Sequence, residues 1–376
     1  MRVVHIIKVT RISGAERHLL VLLEGLRKHT IDAQLIILTE PDTPMDDMLA
    51  EAEANEIPIH RVVIRRDYDV NIIFELRTLL RNLQPDIVHT HLIHADLFGL
   101  IAGKLAGIPT IIASRHNDDG FRYRPIVRQV SRFLWWLTDG GIAISDAIRD
   151  FTIHIEGASG NKVDLVHYGL PYRWIPDEDI QAAKQALYQE LALKDNVIIL
   201  GMVCRLVEQK GIIYALQAFK QMYTKFPNVH LVIAGDGDLA DELLSHGRML
   251  GISDRVHWLG WREDAQTVMS AMDIFLMPSL WEGFGLVLLE AMSKRIPIIA
   301  SRVSAIPEVV QDGVTGLLIP PQSADALTKA IVYLLNDHAL RKHMGLLGED
   351  RLEQAFSTGK MVEQTIAVYR KRVKSR

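Results

Sequence analysis

The chain has 376 residues, of which 48% are hydrophobic and 23% charged. This composition is typical of a globular protein with about two domains and excludes a disordered chain. A formal net charge of −4 and a pI near 6.4 give no reason to expect nucleic acid as a partner, so any bound anion must be held by local groups. The single cysteine, Cys204, excludes an internal disulfide and Cys-rich metal motifs.

The start of the chain carries neither of the usual targeting patterns. Residues 1–10 have the character of a short strand rather than of a signal peptide. No window approaches the roughly 20 consecutive apolar residues of a membrane span. We therefore expect a cytoplasmic protein, with contact to the inner membrane face as an option.

Short apolar runs alternate with helical patterns along the whole chain and predict parallel strands joined by helices. The predicted strands are residues 3–9, 34–38, 87–90, 110–114, 197–203, 229–234, 274–277 and 296–300. The series restarts after residues 168–179, where two prolines and an acidic cluster indicate a linker. We predict an α/β protein with Rossmann-like domains at 1–170 and 180–350, followed by a terminal helix and basic tail at 351–376. A ligand is expected in the cleft between the domains, at the carboxyl ends of the strands.

The loop after the first predicted strand reads Ser13-Gly14-Ala15-Glu16 and opens a helix. Ser13 followed by Glu16 three positions later is a capping box, which explains both side chains without a ligand. It does not explain Gly14.

Two histidines end the next-but-one predicted strand, and a third follows the strand after that. His89 and His91 are two positions apart, so both side chains point to the same face of a strand and a metal pair has to be considered. Since the sequence offers neither a nearby cysteine nor a suitably spaced carboxylate, we predict no metal there. His116, followed by Asn117, is either a structural residue, which is the more frequent role of a lone histidine, or part of a site at the strand end.

Residues 121–137 combine arginines with aromatic residues and contain no acid; the residues concerned are Arg122, Arg124, Arg128, Arg132, Phe133, Trp135 and Trp136. A basic helix with aromatic neighbours binds anionic lipid surfaces, which would give the protein a peripheral membrane contact. In the alternative interpretation the tryptophans pack into the domain and the arginines cover its surface.

Arg205 and Lys210 lie in the loop that joins the strand at 197–203 to a helix. They are either solvated loop cations, the usual situation of Arg and Lys, or anion ligands at the sheet edge. An arginine fork together with a lysine point charge would neutralise a leaving group that gains negative charge.

The segment Gly235-Asp236-Gly237-Asp238-Leu239-Ala240 matches the dinucleotide pattern G-x-G-x-x-A. The acid expected at the end of the next strand is missing, because residues 255–259 continue into Gly260. The segment also contains Asp-x-Asp, a metal-binding signature, and so do residues 67–69, but such triplets arise easily by chance.

The segment Glu282-Gly283-Phe284-Gly285 precedes an apolar run that contains Glu290. If Gly285 opens a helix, Glu282 lies in the loop before it and Glu290 between one and two turns inside it. The glycines allow backbone N–H groups to approach a ligand where the helix dipole favours an anion. The alternative is a helix with one capping and one solvated glutamate.

This last pattern resembles the E-x7-E motif of retaining GT-B glycosyltransferases of glycosyltransferase family 4, and the order of the other segments is similar to that family too. The resemblance implies two Rossmann-like domains facing each other across a cleft, with the terminal helix crossing back to the N-terminal domain. It also implies that Glu282 contacts the transferred sugar, Glu290 the ribose, and Arg205 with Lys210 the diphosphate.

The same resemblance assigns the remaining candidate residues. It places Gly14 at the diphosphate, Gly235 and Gly237 near the nucleotide, Gly283, Phe284 and Gly285 in the donor loop, His116 near the transferred sugar, and His89, His91 and Asn117 on the acceptor side. We take His116, Arg205, Lys210 and Glu282 as the catalytic candidates.

We therefore predict a metal-independent, retaining hexosyltransferase without a cofactor. It would move a sugar from a UDP- or GDP-linked donor to a hydroxyl of a glycan, a lipid-linked saccharide or a small molecule. The alternatives are a non-catalytic nucleotide-sugar-binding protein and an NAD-dependent oxidoreductase based on residues 235–240. The sequence leaves the nucleobase, the sugar, the acceptor and the oligomeric state open.

Overall fold

The computed structural model describes residues 1–10, 14–65, 69–194 and 196–374. The chain folds into two compact units, one formed by Met1–Pro171 together with Ser357–Arg376, the other by Tyr172–Phe356. Each unit is built around one parallel β-sheet.

The first unit alternates strands and helices from its first residues onward. Its elements are β1 (Arg2–Lys8), α1 (Gly14–Lys28), β2 (Asp32–Thr39), α2 (Asp46–Ala54), β3 (Ile59–Val63), α3 (Asn71–Leu83), β4 (Ile87–His91), α4 (Leu92–Ala95), α5 (Ile101–Ala106), β5 (Thr110–Arg115), α6 (Pro125–Leu137), β6 (Gly140–Ala143), α7 (Asp146–His154) and β7 (Val163–Leu165). A π-helical turn, Asp96–Leu100, joins α4 to α5.

The sheet of the first unit has the strand order β3-β2-β1-β4-β5-β6-β7. The order reverses between β1 and β4, which is the place where open parallel sheets bind ligands. Because side chains alternate along β1, Val3 and Ile7 join an apolar cluster with α1, whereas Val4 and Ile6 join a second cluster with α3. Both faces of the sheet are therefore covered, as a parallel sheet requires.

The second unit repeats this construction with six strands. Its elements are α8 (Asp177–Glu190), β8 (Ile198–Val203), α9 (Ile212–Met222), β9 (Val229–Ala234), α10 (Ala240–Met249), β10 (Val256–Gly260), α11 (Ala265–Ser270), β11 (Ile274–Met277), α12 (Leu286–Ser293), β12 (Ile298–Ser301), α13 (Ile306–Val309), β13 (Gly316–Ile319), α14 (Ala324–Leu335) and α15 (His338–Phe356). The strand order is β10-β9-β8-β11-β12-β13, so the reversal lies between β8 and β11.

The last helix, α16 (Thr358–Arg372), belongs to the first unit, which confirms the expected return of the terminal helix. It packs on α1 so closely that a Cβ added to Gly25 would lie 2.4 Å from Cγ2 of Val362. The terminal segment predicted at 351–376 is interrupted at Ser357, whose side chain accepts a hydrogen bond from the Lys360 N–H and so caps α16.

The predicted α/β class with two parallel-sheet Rossmann-like domains is confirmed. The sequence prediction did not include β3, β6, β7 and β13. Three of these are edge strands, which tend to be short and less apolar, and β6 begins with two glycines. His116 consequently follows the fifth strand of its sheet rather than the fourth.

Along the described residues, none of the helices combines the length and the apolar character needed to cross a membrane.

Candidate active site

The loops that follow β8 and β11 meet at the strand-order reversal of the second unit. Lys210 Nζ donates a hydrogen bond to Glu282 Oε1, and the side chains of this ion pair are only 15% and 7% exposed. Ser279 Oγ donates to the same carboxylate oxygen over 3.0 Å. The sequence-predicted sugar and diphosphate residues are thus brought together, 72 positions apart in the chain.

Backbone hydrogen bonds fasten these two loops to each other. The Leu280 N–H donates to the Gln209 carbonyl over 2.7 Å, and the Gln209 side-chain amide donates to the Trp281 carbonyl over 3.0 Å. The position of Lys210 relative to Glu282 therefore does not depend on their own ion pair alone.

Gly285 opens α12, as predicted. Its φ of 85° lies in the left-handed region, which glycine adopts without strain, and the helix begins at Leu286. Glu290 is half-buried and lies within the second turn of this eight-residue helix. The Phe284 ring is buried and packs edge-on against Phe356, with ring centroids 5.8 Å apart, so the ring itself is occupied by a core contact.

The Gly-x-Gly turn after β9 is tied to the loop that carries Arg205. The Leu206 N–H donates to the Asp236 carbonyl over 2.9 Å, and the Gly235 N–H donates to the Gly260 carbonyl over 2.7 Å. A Cβ on Gly235 would lie 1.8 Å from the Cys204 carbonyl oxygen, so only glycine fits at this position. Arg205 itself is exposed. Burial raises the pKa of the Cys204 thiol to about 12, which keeps it protonated and unreactive.

In the first unit, His116 lies directly after β5 with both ring nitrogens engaged. Its Nδ1 is 2.5 Å from the Tyr168 hydroxyl and its Nε2 is 3.0 Å from His91 Nδ1. Burial, reinforced by the charges of Arg115 and Arg122, lowers the pKa of His116 to about 3. His116 is therefore neutral at physiological pH.

His89 and His91 lie in the interior of the first unit rather than at its surface. His89 is held by the hydroxyls of Tyr369 and Ser114, each 2.7 Å from a ring nitrogen. Burial lowers the pKa of both histidines well below its usual range. Both side chains are buried and His91 contacts His116, which does not fit a direct acceptor contact of either histidine.

Sequence reasoning missed His5, which completes a group of three histidines with His89 and His91. One ring nitrogen of each lies within 4.8 Å of the others, so the third ligand that the metal hypothesis lacked is present. The signal was a polar residue within the apolar strand β1, which pairs His5 with His89. The rings of His89 and His91 are tilted by 35° with centroids 4.3 Å apart, and the absence of a metal ion here stays a prediction.

Arg122 is not available to a lipid surface, which corrects one of the predicted membrane contacts. It is 2% exposed and pairs with Glu156 over 2.5 Å. Glu156 also binds Arg115 over 2.6 Å and accepts a hydrogen bond from the Trp135 indole over 2.8 Å. Arg115 in turn pairs with Asp96 over 2.5 Å, so two cations and two acids balance in the interior.

The rest of α6 is exposed on one side. Ile126 and Trp136 are 79% and 74% exposed, and Phe133 lies between them along the helix, also exposed. Trp135 is buried, so of the two tryptophans only this one packs into the domain as the alternative interpretation required.

Gly14 is the first residue of α1 and is exposed, whereas Glu16 is buried. Asn117 is half-buried beside His116. Ser13, the other half of the predicted capping box, and residues 67–68 of the second Asp-x-Asp triplet lie outside the described residues.

Comparisons with known proteins identify the family to which the chain belongs. Residues 12–172 match the model of Glycosyltransferase Family 4, and residues 183–350 match that of Glycosyl transferases group 1. Alpha-maltose-1-phosphate synthase of Mycolicibacterium smegmatis is 30% identical over 76% of this chain and 79% of its own length. The chain belongs to glycosyltransferase family 4. UDP-Gal:alpha-D-GlcNAc-diphosphoundecaprenol alpha-1,3-galactosyltransferase of Escherichia coli is 27% identical over 98% of this chain and 96% of its own length.

The glycosyltransferase also shares its fold with solved structures. Anabaena HepE, solved in complex with UDP and glucose, superposes with a TM-score of 0.85 at 21% identity, covering 99% of this chain and 100% of that one. This places the glycosyltransferase in the GT-B fold. Its family membership makes it an enzyme that uses a nucleotide-sugar donor, and the oxidoreductase alternative is set aside.

Proposed function

We propose that this glycosyltransferase transfers a hexosyl group from a UDP-sugar to a hydroxyl of a lipid-linked saccharide, with retention of the anomeric configuration and without a metal ion. The observation that carries the proposal is the Lys210–Glu282 pair at the strand-order reversal of the second sheet. UDP and the lipid-linked acceptor are inferred from the Escherichia coli relative, whose name specifies UDP-Gal and a diphosphoundecaprenol-linked acceptor.

On this proposal the second unit binds the donor. Arg205 and Lys210 stabilise the diphosphate as it gains negative charge, which is the work that a metal ion does in other transferases. Glu282 contacts the transferred sugar and Glu290 the ribose. The exposed Arg205 supplies a planar fork for phosphate oxygens, while Lys210 supplies a point charge beside the sugar.

In the transfer step the bond between the anomeric carbon and the diphosphate oxygen breaks, and a bond from the acceptor oxygen forms on the same face of the sugar. The departing phosphate takes the acceptor proton. His116 is not the base on this proposal, because its two ring nitrogens already hold Tyr168 and His91 and because its low pKa makes it a poor proton acceptor. Because both nitrogens are engaged, it positions the sugar and the acceptor only through contacts of its ring.

Helix α6 supports a lipid-linked acceptor. Its exposed apolar residues Ile126, Phe133 and Trp136 recur at helical spacing and are accompanied by Arg124, Arg128 and Arg132. Such a face binds anionic lipid through apolar insertion and charge together. A peripheral membrane contact would bring the enzyme to an acceptor that cannot leave the bilayer.

The stereochemical experiment uses UDP-galactose or UDP-glucose and a short-chain GlcNAc-diphosphoprenol as acceptor. We expect an α-linked first product, read from the anomeric proton coupling by NMR, and no effect of EDTA. A β-linked product would overturn the mechanism, and an activity abolished by EDTA and restored by a divalent cation would overturn metal independence.

Vesicle sedimentation tests the membrane contact separately. We expect binding to vesicles with anionic phosphatidylglycerol but not to phosphatidylcholine alone, and a loss of binding in Trp136→Ser. Trp281→Ser, at another exposed tryptophan, serves as the matched control. Equal binding of both variants would contradict the assignment to α6.

A further inference from the structure

A continuous hydrogen-bonded chain runs through the interior of the first unit and ends at His116 and its partner Tyr168. It joins, in this order, Tyr168, His116, His91, His5, Tyr369, His89 and Ser114. We call it the histidine relay. The successive distances are 2.5, 3.0, 3.0, 3.3, 2.7 and 2.7 Å. All seven side chains are buried.

Every histidine in the relay is oriented the same way. His116, His91, His5 and His89 each direct Nδ1 toward the Tyr168 end and Nε2 toward the Ser114 end. A neutral imidazole has one N–H donor and one acceptor nitrogen, and a hydroxyl both donates and accepts. His116, His91 and His5 are joined nitrogen to nitrogen, so their links are satisfied only if these three carry their protons on the same nitrogen. His89 shares that tautomer when the Tyr369 hydroxyl accepts from one neighbouring histidine and donates to the other; if the hydroxyl accepted from both, its own buried proton would have no acceptor within the relay.

The surroundings keep the relay neutral, as this arrangement requires. Burial lowers the pKa of His5 to about 3 and that of His91 well below its usual range. Burial likewise raises the pKa values of the Tyr168 and Tyr369 hydroxyls well above the usual range, so both remain proton donors. The consequence of the relay is a shared choice of tautomer.

Tyr369 is the only member of the relay from α16, and it joins the two halves. Its ring lies edge-on to His89 at 89° and to His5 at 67°. Its hydroxyl links His5 on β1 to His89 on β4, the two strands that flank the strand-order reversal. Without this hydroxyl, His5 and His91 would lose the link that couples their tautomer to His89.

We propose that Tyr369 is a positioning residue of the transferase, whose hydroxyl fixes the tautomer and ring orientation of His116 through His5 and His91. The proposal rests on the proposed function only where it concerns activity. The relay itself concerns the folded protein alone, so the two parts are tested separately.

NMR of the unliganded protein with ¹⁵N-labelled histidine tests the relay. Nitrogen shifts distinguish N–H from bare ring nitrogens, and the resonances are assigned by single His→Gln substitutions. We expect His5, His89, His91 and His116 to share one tautomer, or one common tautomer ratio. Opposite tautomers within the chain would overturn the relay, and so would a stoichiometric bound metal ion on the three clustered histidines.

Kinetics of Tyr369→Phe test the positioning role, with Thr365→Val as the matched control. Thr365 lies one turn earlier on α16, is equally buried, and donates only to its own helix, at the Met361 carbonyl. We expect Tyr369→Phe to lower kcat on the order of tenfold, the lower end of the loss that follows removal of an orienting partner from a metal-bound histidine, with donor KM little changed. Thr365→Val should keep the kcat of the unmodified protein.

The outcomes separate this proposal from the proposed function. If Tyr369→Phe keeps full kcat, or if Thr365→Val loses as much, Tyr369 is not a positioning residue even though transfer occurs. If Tyr369→Phe shifts the ¹⁵N resonances of His91 and His116 as well as those of its neighbours His5 and His89, the coupling along the relay is supported whatever reaction the enzyme catalyses.

Discussion

Acidification should unfold the first unit at pH values where ordinary carboxylates are still ionised, because burial keeps its interior histidines neutral. Burial lowers the pKa of His5 and of His116 from about 6.5 to about 3. Between pH 6.5 and pH 3 these histidines bind protons in the unfolded chain but not in the folded chain, so the free energy of unfolding falls as the pH falls. This contribution is fully present above pH 6.5 and is lost progressively toward pH 3.

The size of the effect follows from proton binding to the unfolded chain. At pH 5.0 an unfolded histidine of ordinary pKa gains about 2 kcal/mol by protonation, relative to pH 7.5. His5 and His116 together should therefore lower the unfolding free energy of the first unit by about 4 kcal/mol over this range. His18, His89 and His91 act in the same direction, since burial lowers their pKa values too.

Urea titrations at pH 7.5, 6.0 and 5.0, followed by pulsed hydrogen exchange and mass spectrometry, measure this effect for each unit. Peptides from β1 and β4 report the first unit, and peptides from β8 and β11 report the second. His5→Gln should lower the stability at pH 7.5 but reduce the loss between pH 7.5 and 5.0 by about 2 kcal/mol, because one titrating group is gone. A urea midpoint of β1 peptides that does not change with pH would refute the reasoning.

Three further predictions concern individual charges. Lys210→Ala should raise the barrier to turnover by about 2 to 4 kcal/mol, the cost of one preorganised charge stabiliser, and steady-state kinetics with saturating donor measure it. Glu290→Ala should raise donor KM, whereas Glu282→Ala should mainly lower kcat, because a contact to the reacting sugar strengthens in the transition state; equal effects on both parameters would contradict these roles. Glu156→Gln should destabilise the first unit by about 3 to 5 kcal/mol in urea unfolding, since it leaves buried guanidinium groups without their carboxylate. Asp32→Asn, at the exposed ion pair with Arg2, should cost at most about 1 kcal/mol and serves as the control.

The strands that the sequence predicted are mostly those whose apolar runs are long enough to be buried on both faces, such as β2 and β9. The edge strands β3, β7 and β13 were not predicted, because half their surface faces solvent and their composition resembles that of loops. For β7, three residues leave no pattern to recognise. Opening of α12 by Gly285 was predictable because the left-handed backbone favours glycine, and that preference is local.

The sequence predicted which candidate residues follow a strand, but it did not predict which of them contact each other. Lys210 and Glu282 were each expected at the carboxyl edge of a sheet, but their contact depends on β8 lying next to β11, which no local pattern encodes. The role of His5 was not predicted either, because its neighbour His89 is on another strand and no local pattern shows that contact. Arg122 was wrongly predicted to be exposed because of its charge. Its partner, the carboxylate of Glu156, comes 34 residues later in the chain.

The buried carboxylate of Glu156 explains why polar groups fill the interior behind β5. Its Oε2 atom receives both the Arg115 guanidinium and the Trp135 indole N–H, and Oε1 receives Arg122. Arg115 is the residue before His116, and Trp135 is the buried neighbour of Trp136 on α6. Glu156 therefore holds both the end of β5, which precedes His116, and the inner face of α6, whose outer face is apolar. An apolar residue at position 156 would leave Arg115 paired with Asp96 alone and the buried Arg122 without its carboxylate, which is costly even though an intact buried ion pair adds little net stability.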